Sequence, residues 1–216
     1  MKLVIGNKNY SSWSLRPWLL LSYHALPFEE ARIPLNQDDT YTVLSQYTDA
    51  GKVPVLKDGD LTIWDSMAIC EYVSEQYLDG GGWPSSIRAR AEARSCSAEM
   101  HSGFSGIRGQ LPMNCRATGR HVSPNTTLEL EVARVDRIWS QYRKIYSSAG
   151  SWLFGEFSIA DCMFAPVASR FKTYGINIST TSKEYMHFVL DHEQMRKWVK
   201  QALAEPETID MAEVGI

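Results

Sequence analysis

Two stretches of the chain place hydroxyl or carboxyl side chains directly ahead of a helical pattern. In Asn9-Tyr10-Ser11-Ser12-Trp13-Ser14-Leu15-Arg16-Pro17, two serines precede apolar residues at helical spacing, Leu15, Trp18 and Leu19. In Trp64-Asp65-Ser66-Met67, an acid and a hydroxyl precede Ile69, Tyr72, Val73 and Tyr77. Ser and Asp are favoured at such positions because their oxygens accept hydrogen bonds from the first free backbone N–H groups. Those N–H groups and the positive end of the helix dipole also make a helix start a seat for anions, carboxylates included. The two helix starts are therefore candidates for holding a small charged ligand, with Ser11, Ser12 and Ser66 as hydroxyl donors and Asp65 as the acid. Taken singly, each pair reads first as an ordinary helix cap.

The elements that must position them follow from the surrounding pattern. Val53-Pro54-Val55-Leu56 and Leu61-Thr62-Ile63-Trp64 are short apolar runs on either side of Lys57-Asp58-Gly59-Asp60. Asp-Gly between β-prone runs predicts a hairpin, because Gly takes a positive φ freely and Asp tolerates the turn. The segment reads strand, tight turn, strand, then a helix opening at Asp65-Ser66. Upstream, Leu3-Val4-Ile5 predicts a strand and a helix runs from Trp13, with Pro17 tolerated only near its first turn. Phe28 to Leu35 predicts a second strand closed by Pro34. Two βα units ending in an antiparallel hairpin describe a thioredoxin-like α/β layer.

Gly80-Gly81-Gly82-Trp83-Pro84-Ser85-Ser86 marks a boundary. Three glycines favour neither helix nor strand, and Pro with two serines opens the next helix. The expected division is 1–79 as the α/β domain, 80–87 as linker and 88–216 as an all-helical bundle. In that second half a helix is expected from Arg88 to about Ile107, another through Leu128, Val132, Val135, Trp139 and Tyr142, and further ones after Ser158 and Ser182. Ser158-Ile159-Ala160-Asp161 has the form of a capping box, and Pro166 is expected to kink or shorten its helix. Arg116, Arg120 and His121 read as a solvated polar loop, and a short acidic tail starts near Glu205.

Composition narrows the function classes. A chain of 216 residues with formal net charge −3 gives no electrostatic reason to expect a nucleic acid or an anionic membrane as partner. No run approaches a membrane-spanning length, and the N-terminal apolar run is too short for a signal peptide. Cys70, Cys96, Cys115 and Cys162 are far apart, with no CxxC and no histidine at metal spacing, so neither a dithiol centre nor a metal site is expected. Scattered thiols suit a reducing cytoplasm.

Val53-Pro54 followed at this distance by Asp65-Ser66 resembles the glutathione-binding half of the cytosolic glutathione transferases. Ser11-x-x-Ser14-x-Arg16 resembles the opening of the first helix in their serine-type members, such as the zeta, phi and tau classes. Met100-His101-Ser102-Gly103-Phe104, with Leu111-Pro112-Met113-Asn114 after it, looks like a bacterial subgroup related to the zeta class. The resemblance implies glutathione as co-substrate, with Ser11, or its neighbour Ser12 or Ser14, stabilising the thiolate beside the helix dipole. In that family the Val53-Pro54 bond is cis and the backbone ahead of the proline pairs with the tripeptide. Asp65 and Ser66 then receive the γ-glutamyl end, and Lys52 and Gln37 can reach the glycine carboxylate. Trp13, Met100, His101, Phe104 and Arg108 are the implied electrophile contacts, although Met and aromatic residues at helical spacing equally suit a core. Zeta members usually carry a cysteine where this chain has Trp13, which argues against the maleylacetoacetate-type isomerase that is the alternative reading. A second alternative is a transferase-like binding module without turnover. Homodimerisation is implied by resemblance alone.

Overall fold

The computed structural model describes residues 1–215. The first half alternates β1 (Lys2–Ile5), α1 (Ser12–Tyr23), β2 (Glu29–Arg32), α2 (Thr40–Leu44), β3 (Val55–Asp58), β4 (Leu61–Trp64) and α3 (Ser66–Tyr77). The sheet order is β2-β1-β3-β4, with β1 parallel to β2 and the other pairs antiparallel. This is the thioredoxin-like layer that the alternation of elements implies. Side chains on a strand alternate between its faces, and β1 shows the consequence. Leu3 and Ile5 enter the main core, whereas Val4 joins Ile33, Leu44 and Val55 in a small cluster beneath α2.

The second half is helical: α4 (Ile87–Ser102), α5 (Ser105–Gln110), α6 (Thr126–Tyr146), α7 (Ile159–Thr173), α8 (Thr180–Asp191) and α9 (Glu193–Leu203). The helix that joins the two halves is α1. It packs on α3 beside the sheet and on α7 and α9 of the bundle, and Ser14 to Leu21 are all buried. One continuous apolar core therefore runs from Leu3 and Ile5 through Leu19 and Leu20 to Phe164 and Trp198. At the crossover, Gly82 donates its N–H to Ser74 Oγ (3.1 Å) and accepts from Ile159 N (2.8 Å). A Cβ on Gly82 would lie 2.7 Å from Ser74 Oγ, so a side chain there would push the linker off both domains.

Several expectations are corrected. The second strand is four residues, 29–32, rather than 28–35. The hairpin turn is only Gly59-Asp60, because Lys57 and Asp58 pair with Thr62 and Leu61 and extend β3; Gly59 takes the turn with φ 59°. Pro17 stands in the second turn of α1, not the first, which leaves the Trp13 carbonyl without its helical N–H. The helix expected from Arg88 to Ile107 is two helices. It stops at Gly103, and Phe104 adopts a left-handed φ of 59°. The carbonyls freed at the end of α4 are taken by Arg108, whose Nε reaches Gly103 O at 3.0 Å and whose Nη2 reaches Met100 and His101 O. Pro166 does not shorten α7, which continues to Thr173, and α8 starts at Thr180 with Ser179 as its cap. The acidic tail begins at a buried residue, Glu205 being 8 % exposed. Arg116 and Arg120 are half-buried against that tail, while His121 is exposed.

Candidate active site

Three starting points converge on one side of the sheet: the mouth of α1, the loop entering β3, and the mouth of α3. A cavity of about 510 Å³ is lined by Trp13, Ala50, Lys52, Val53, Pro54, Trp64, Asp65 and Ser66. The Val53–Pro54 peptide bond is cis. Lys52 is exposed at the rim, Val53 is half-buried and Pro54 is buried.

Asp65 caps α3 in an unusual backbone conformation, φ 76°. Its Oδ1 accepts from Met67 N (2.8 Å) and Ala68 N (3.2 Å). Its Oδ2 lies 3.1 Å from His101 Nε2, which reaches across from the end of α4. The other imidazole nitrogen, Nδ1, is 3.5 Å from Arg16 Nη1. Burial pulls the His101 pKa below its usual value, and the guanidinium groups of Arg16 and Arg108 pull the same way against Asp65.

Arg16 is the least expected part of the arrangement. It is 1 % exposed, donates to Ser66 Oγ at 3.1 Å, and leaves Nε without a partner. Its guanidinium lies 4.3 Å from the centre of the Trp13 ring, and that of Arg108 lies 4.6 Å from the same ring. Arg170, on α7, is also buried; its Nη2 donates to Ser12 Oγ at 3.1 Å, and Nη1 holds the Leu111 carbonyl. Burial, with Arg108 next, lowers the Arg16 pKa to about 9 and that of Arg170 to about 10. None of the three arginines forms a salt bridge with a carboxylate among the described residues. Positive charge is thus gathered behind the cavity wall, opposed by Asp65 at Arg16 and by Glu131 at Arg108.

The two serines at the head of α1 have different surroundings. Ser11 is the N-cap, and its Oγ accepts from Ser14 N (3.4 Å) and sits 2.7 Å from Ser14 Oγ. Ser14 Oγ already accepts from Gly6 N (3.1 Å). If Ser14 then donates to Ser11, the Ser11 hydrogen is free for a ligand. Ser12 Oγ faces Arg170. Both serines are 6 % exposed, and neither lines the cavity, whose wall at this helix is Trp13.

Other sequence candidates lie apart from the cavity wall. Met100 (2 % exposed) and Phe104 (6 %) belong to the hydrophobic core rather than the cleft, because α4 ends there and turns them inward. Gln37 is exposed on the loop after β2, and its amide turns back on the carbonyls of Leu35 and Asn36, both at 3.3 Å. His101 and Arg108 border the site through Asp65 and Trp13. Sequence reasoning passed over Trp64 and Ala50, two of the lining residues. The exposed end of a strand next to a cap pair was the available signal for Trp64. Arg170 gave no local signal at all. Among the described residues no cluster of ligating side chains suits a metal ion, and no helix is long and apolar enough to cross a membrane.

A thioredoxin-like sheet joined to an all-helical region, with capped helix mouths beside a cis-proline loop, is a glutathione-transferase-type fold. Residues 10–76 match the glutathione S-transferase N-terminal domain family. Over 211 residues the chain is 21 % identical to the glutathione S-transferase GstB of Escherichia coli K12, covering 94 % of each. A dichloromethane dehalogenase of Methylorubrum extorquens is 38 % identical over 60 residues, a stretch spanning only 21 % of that relative. The fold matches a glutathione transferase homolog from Burkholderia GL BGR1, solved with bound glutathione, at TM-score 0.70 and 21 % identity, covering 94 % of this chain and 98 % of that one. Residues 10–76 are thus similar to the glutathione S-transferase N-terminal domain, and the chain as a whole shares the fold of glutathione transferases.

Proposed function

We propose that this protein binds glutathione in the 510 Å³ cleft and activates its thiol for attack on a small electrophile. The observation that carries the reading is the convergence on one cleft of the α3 mouth and the cis-proline loop, with the α1 mouth adjoining it. In this reading the γ-glutamyl ammonium meets Asp65, and the γ-glutamyl carboxylate meets the hydroxyl and backbone N–H of Ser66 at the positive end of α3. The backbone at Val53 pairs with the cysteinyl unit, and Lys52 reaches toward the glycine carboxylate. Ser11 donates a hydrogen bond to the sulfur, and the thiol proton leaves to solvent. With the thiol pKa lowered in this way, more of the nucleophilic thiolate is present at neutral pH. Domains at 1–79 and 88–216, a homodimeric assembly and a cytoplasmic location accompany this reading as implications of the family.

Asp65→Asn separates the two duties of this side chain. An amide keeps the Oδ1 cap on Met67 and Ala68 but presents no charge to an ammonium group. Glutathione should bind about ten- to a hundredfold more weakly, the equivalent of one charge-assisted hydrogen bond of about 1.5–3 kcal/mol. Calorimetric titration of the folded variant measures this, and an unchanged affinity removes Asp65 from the assignment.

A second reading, glutathione-dependent cis–trans isomerisation of the maleylacetoacetate type, gains support from Arg16, Arg108 and Arg170. Arg16 and Arg108 flank Trp13 and Arg170 holds the neighbouring Ser12, a set of cations that suits an electrophile bearing carboxylates. Arg108 is the half-buried member and the easiest to change. Arg108→Gln should raise KM for carboxylate-bearing electrophiles about tenfold, with neutral aryl or alkyl halides nearly unaffected. Equal effects on both substrate types would argue against this second reading.

A further inference from the structure

The loop that carries Ser11 to the mouth of α1 is held by the far end of the chain. Lys8 and Asn9 both direct their backbone N–H groups at one side chain, Glu205. Its Oε1 accepts from Lys8 N at 2.7 Å and its Oε2 from Asn9 N at 3.1 Å. The Lys8 carbonyl accepts from Trp198 Nε1 at 2.9 Å, and its ammonium reaches Gln201 Oε1 at 2.6 Å. On either side, Asn7 Nδ2 donates to Glu207 (3.2 Å) and Tyr10 OH donates to Glu213 (2.8 Å). Arg116 ties the strap down from the other side, donating to the carbonyls of Glu205 and Glu207 and to Tyr10 OH. Every residue from Asn7 to Tyr10 is thus tethered to α9 or to the segment after it. Ser11 hangs from this loop, because its N–H donates to Asn7 O at 2.8 Å.

We propose that Glu205 is a positioning residue for thiol activation: by clamping two consecutive backbone N–H groups it sets where the Ser11 hydroxyl points. The inference rests on the glutathione reading given above. A buried carboxylate with two good donors is worth more than a neutral acceptor, and hydrogen-bond direction at a reacting atom tolerates little displacement. Nothing in the strap touches Lys52, Val53, Asp65 or Ser66, so binding and activation should separate.

Glu205→Gln tests this. The amide offers one acceptor where the carboxylate offered two and turns an N–H toward the remaining donor. The ultraviolet absorbance of bound thiolate, titrated against pH, should shift upward by about one unit, with turnover at neutral pH about tenfold lower and recovering as pH rises. Glutathione affinity should change less than about twofold, since its contacts lie elsewhere. Tyr185→Phe, which removes one hydrogen bond to buried Asp161 far from this loop, serves as the control for simple loss of stability. It should lower Tm without moving the thiolate titration. Should Glu205→Gln fail to fold, Tyr10→Phe removes the Glu213 and Arg116 tethers from the same loop and should move the titration in the same direction. Lower Tm with an unmoved titration in the loop variants overturns the proposal. A wild-type protein that shows no bound thiolate overturns the glutathione reading itself, and the positioning role falls with it.

Discussion

Ser11→Ala is expected to lower turnover at neutral pH about ten- to a hundredfold, with glutathione affinity nearly unchanged and the rate recovering as pH rises. One hydrogen bond to a charged sulfur is worth about 1.5–3 kcal/mol, which sets that range. The sign follows from what the donor does. A hydroxyl that donates to the thiolate stabilises the charged form and lowers the thiol pKa; without it the pKa moves up and the nucleophile appears only at higher pH. The helix dipole remains in the variant, so activity should fall rather than vanish. Ser12→Ala should have a milder effect, because the Ser12 hydroxyl is engaged by Arg170 Nη2 at 3.1 Å. The absorbance of the bound thiolate against pH distinguishes them. If Ser12→Ala moves that titration and Ser11→Ala does not, the hydroxyl is assigned to the wrong serine while the chemistry stands.

The largest stability effect should come from Asp161, fully buried at the start of α7. Its carboxylate accepts from Ser158 N and Leu153 N, both at 2.9 Å, and from Tyr185 OH at 2.9 Å. The Ser158 hydroxyl also lies 3.3 Å from Oδ2, within a complete capping box. Truncation to Ala orphans three buried donors at about 1–3 kcal/mol each, so a loss of roughly 4 kcal/mol or more is expected. That is a large share of the 5–15 kcal/mol (approximately) that holds a typical domain. Urea unfolding followed by circular dichroism measures it, and a loss below about 1 kcal/mol would show that the network matters little. Asp161 should also leave a mark on pH dependence. Burial pushes its carboxyl from 3.8 up to about 6, despite the four donors. Between those values the folded protein keeps a proton that the unfolded chain has released. This group's contribution to stability is therefore complete below about 3.8 and declines as pH climbs through about 6. The stability difference between wild type and Asp161→Asn, which does not titrate, should follow that slope.

Much of this molecule is legible in its sequence, and the legible part shares one property: it is local. The Asp-Gly hairpin, the Asp65-Ser66 cap, the Ser158 capping box and the glycine-rich crossover each depend on residues within a few positions. There backbone sterics and hydrogen bonds to nearby N–H groups dominate. The strand–helix order and the family resemblance follow from such signals. Helical spacing misled at one point. The helix expected through Met100 and Phe104 breaks at Gly103 and the left-handed Phe104, Arg108 takes the carbonyls freed there, and those two side chains enter the core instead of the cleft. The sequence reads only a short acidic tail near Glu205, whereas its carboxylates find donors far back along the chain.

Contacts between residues far apart in the chain lie beyond any local signal. Arg16 meets Ser66 across 50 positions, Ser12 meets Arg170 across 158, and Lys8 meets Glu205 across 197. A buried arginine or glutamate costs free energy unless its hydrogen bonds are met. The partners that meet them are chosen by how α1 packs between sheet and bundle, which spacing along the chain does not encode. The elements, their caps and the kind of chemistry they suit are thus set by residues near one another in the chain. Packing around α1 determined which hydroxyl faces Arg170, which carboxylate holds the loop from Asn7 to Tyr10, and which guanidinium groups gather behind the cleft.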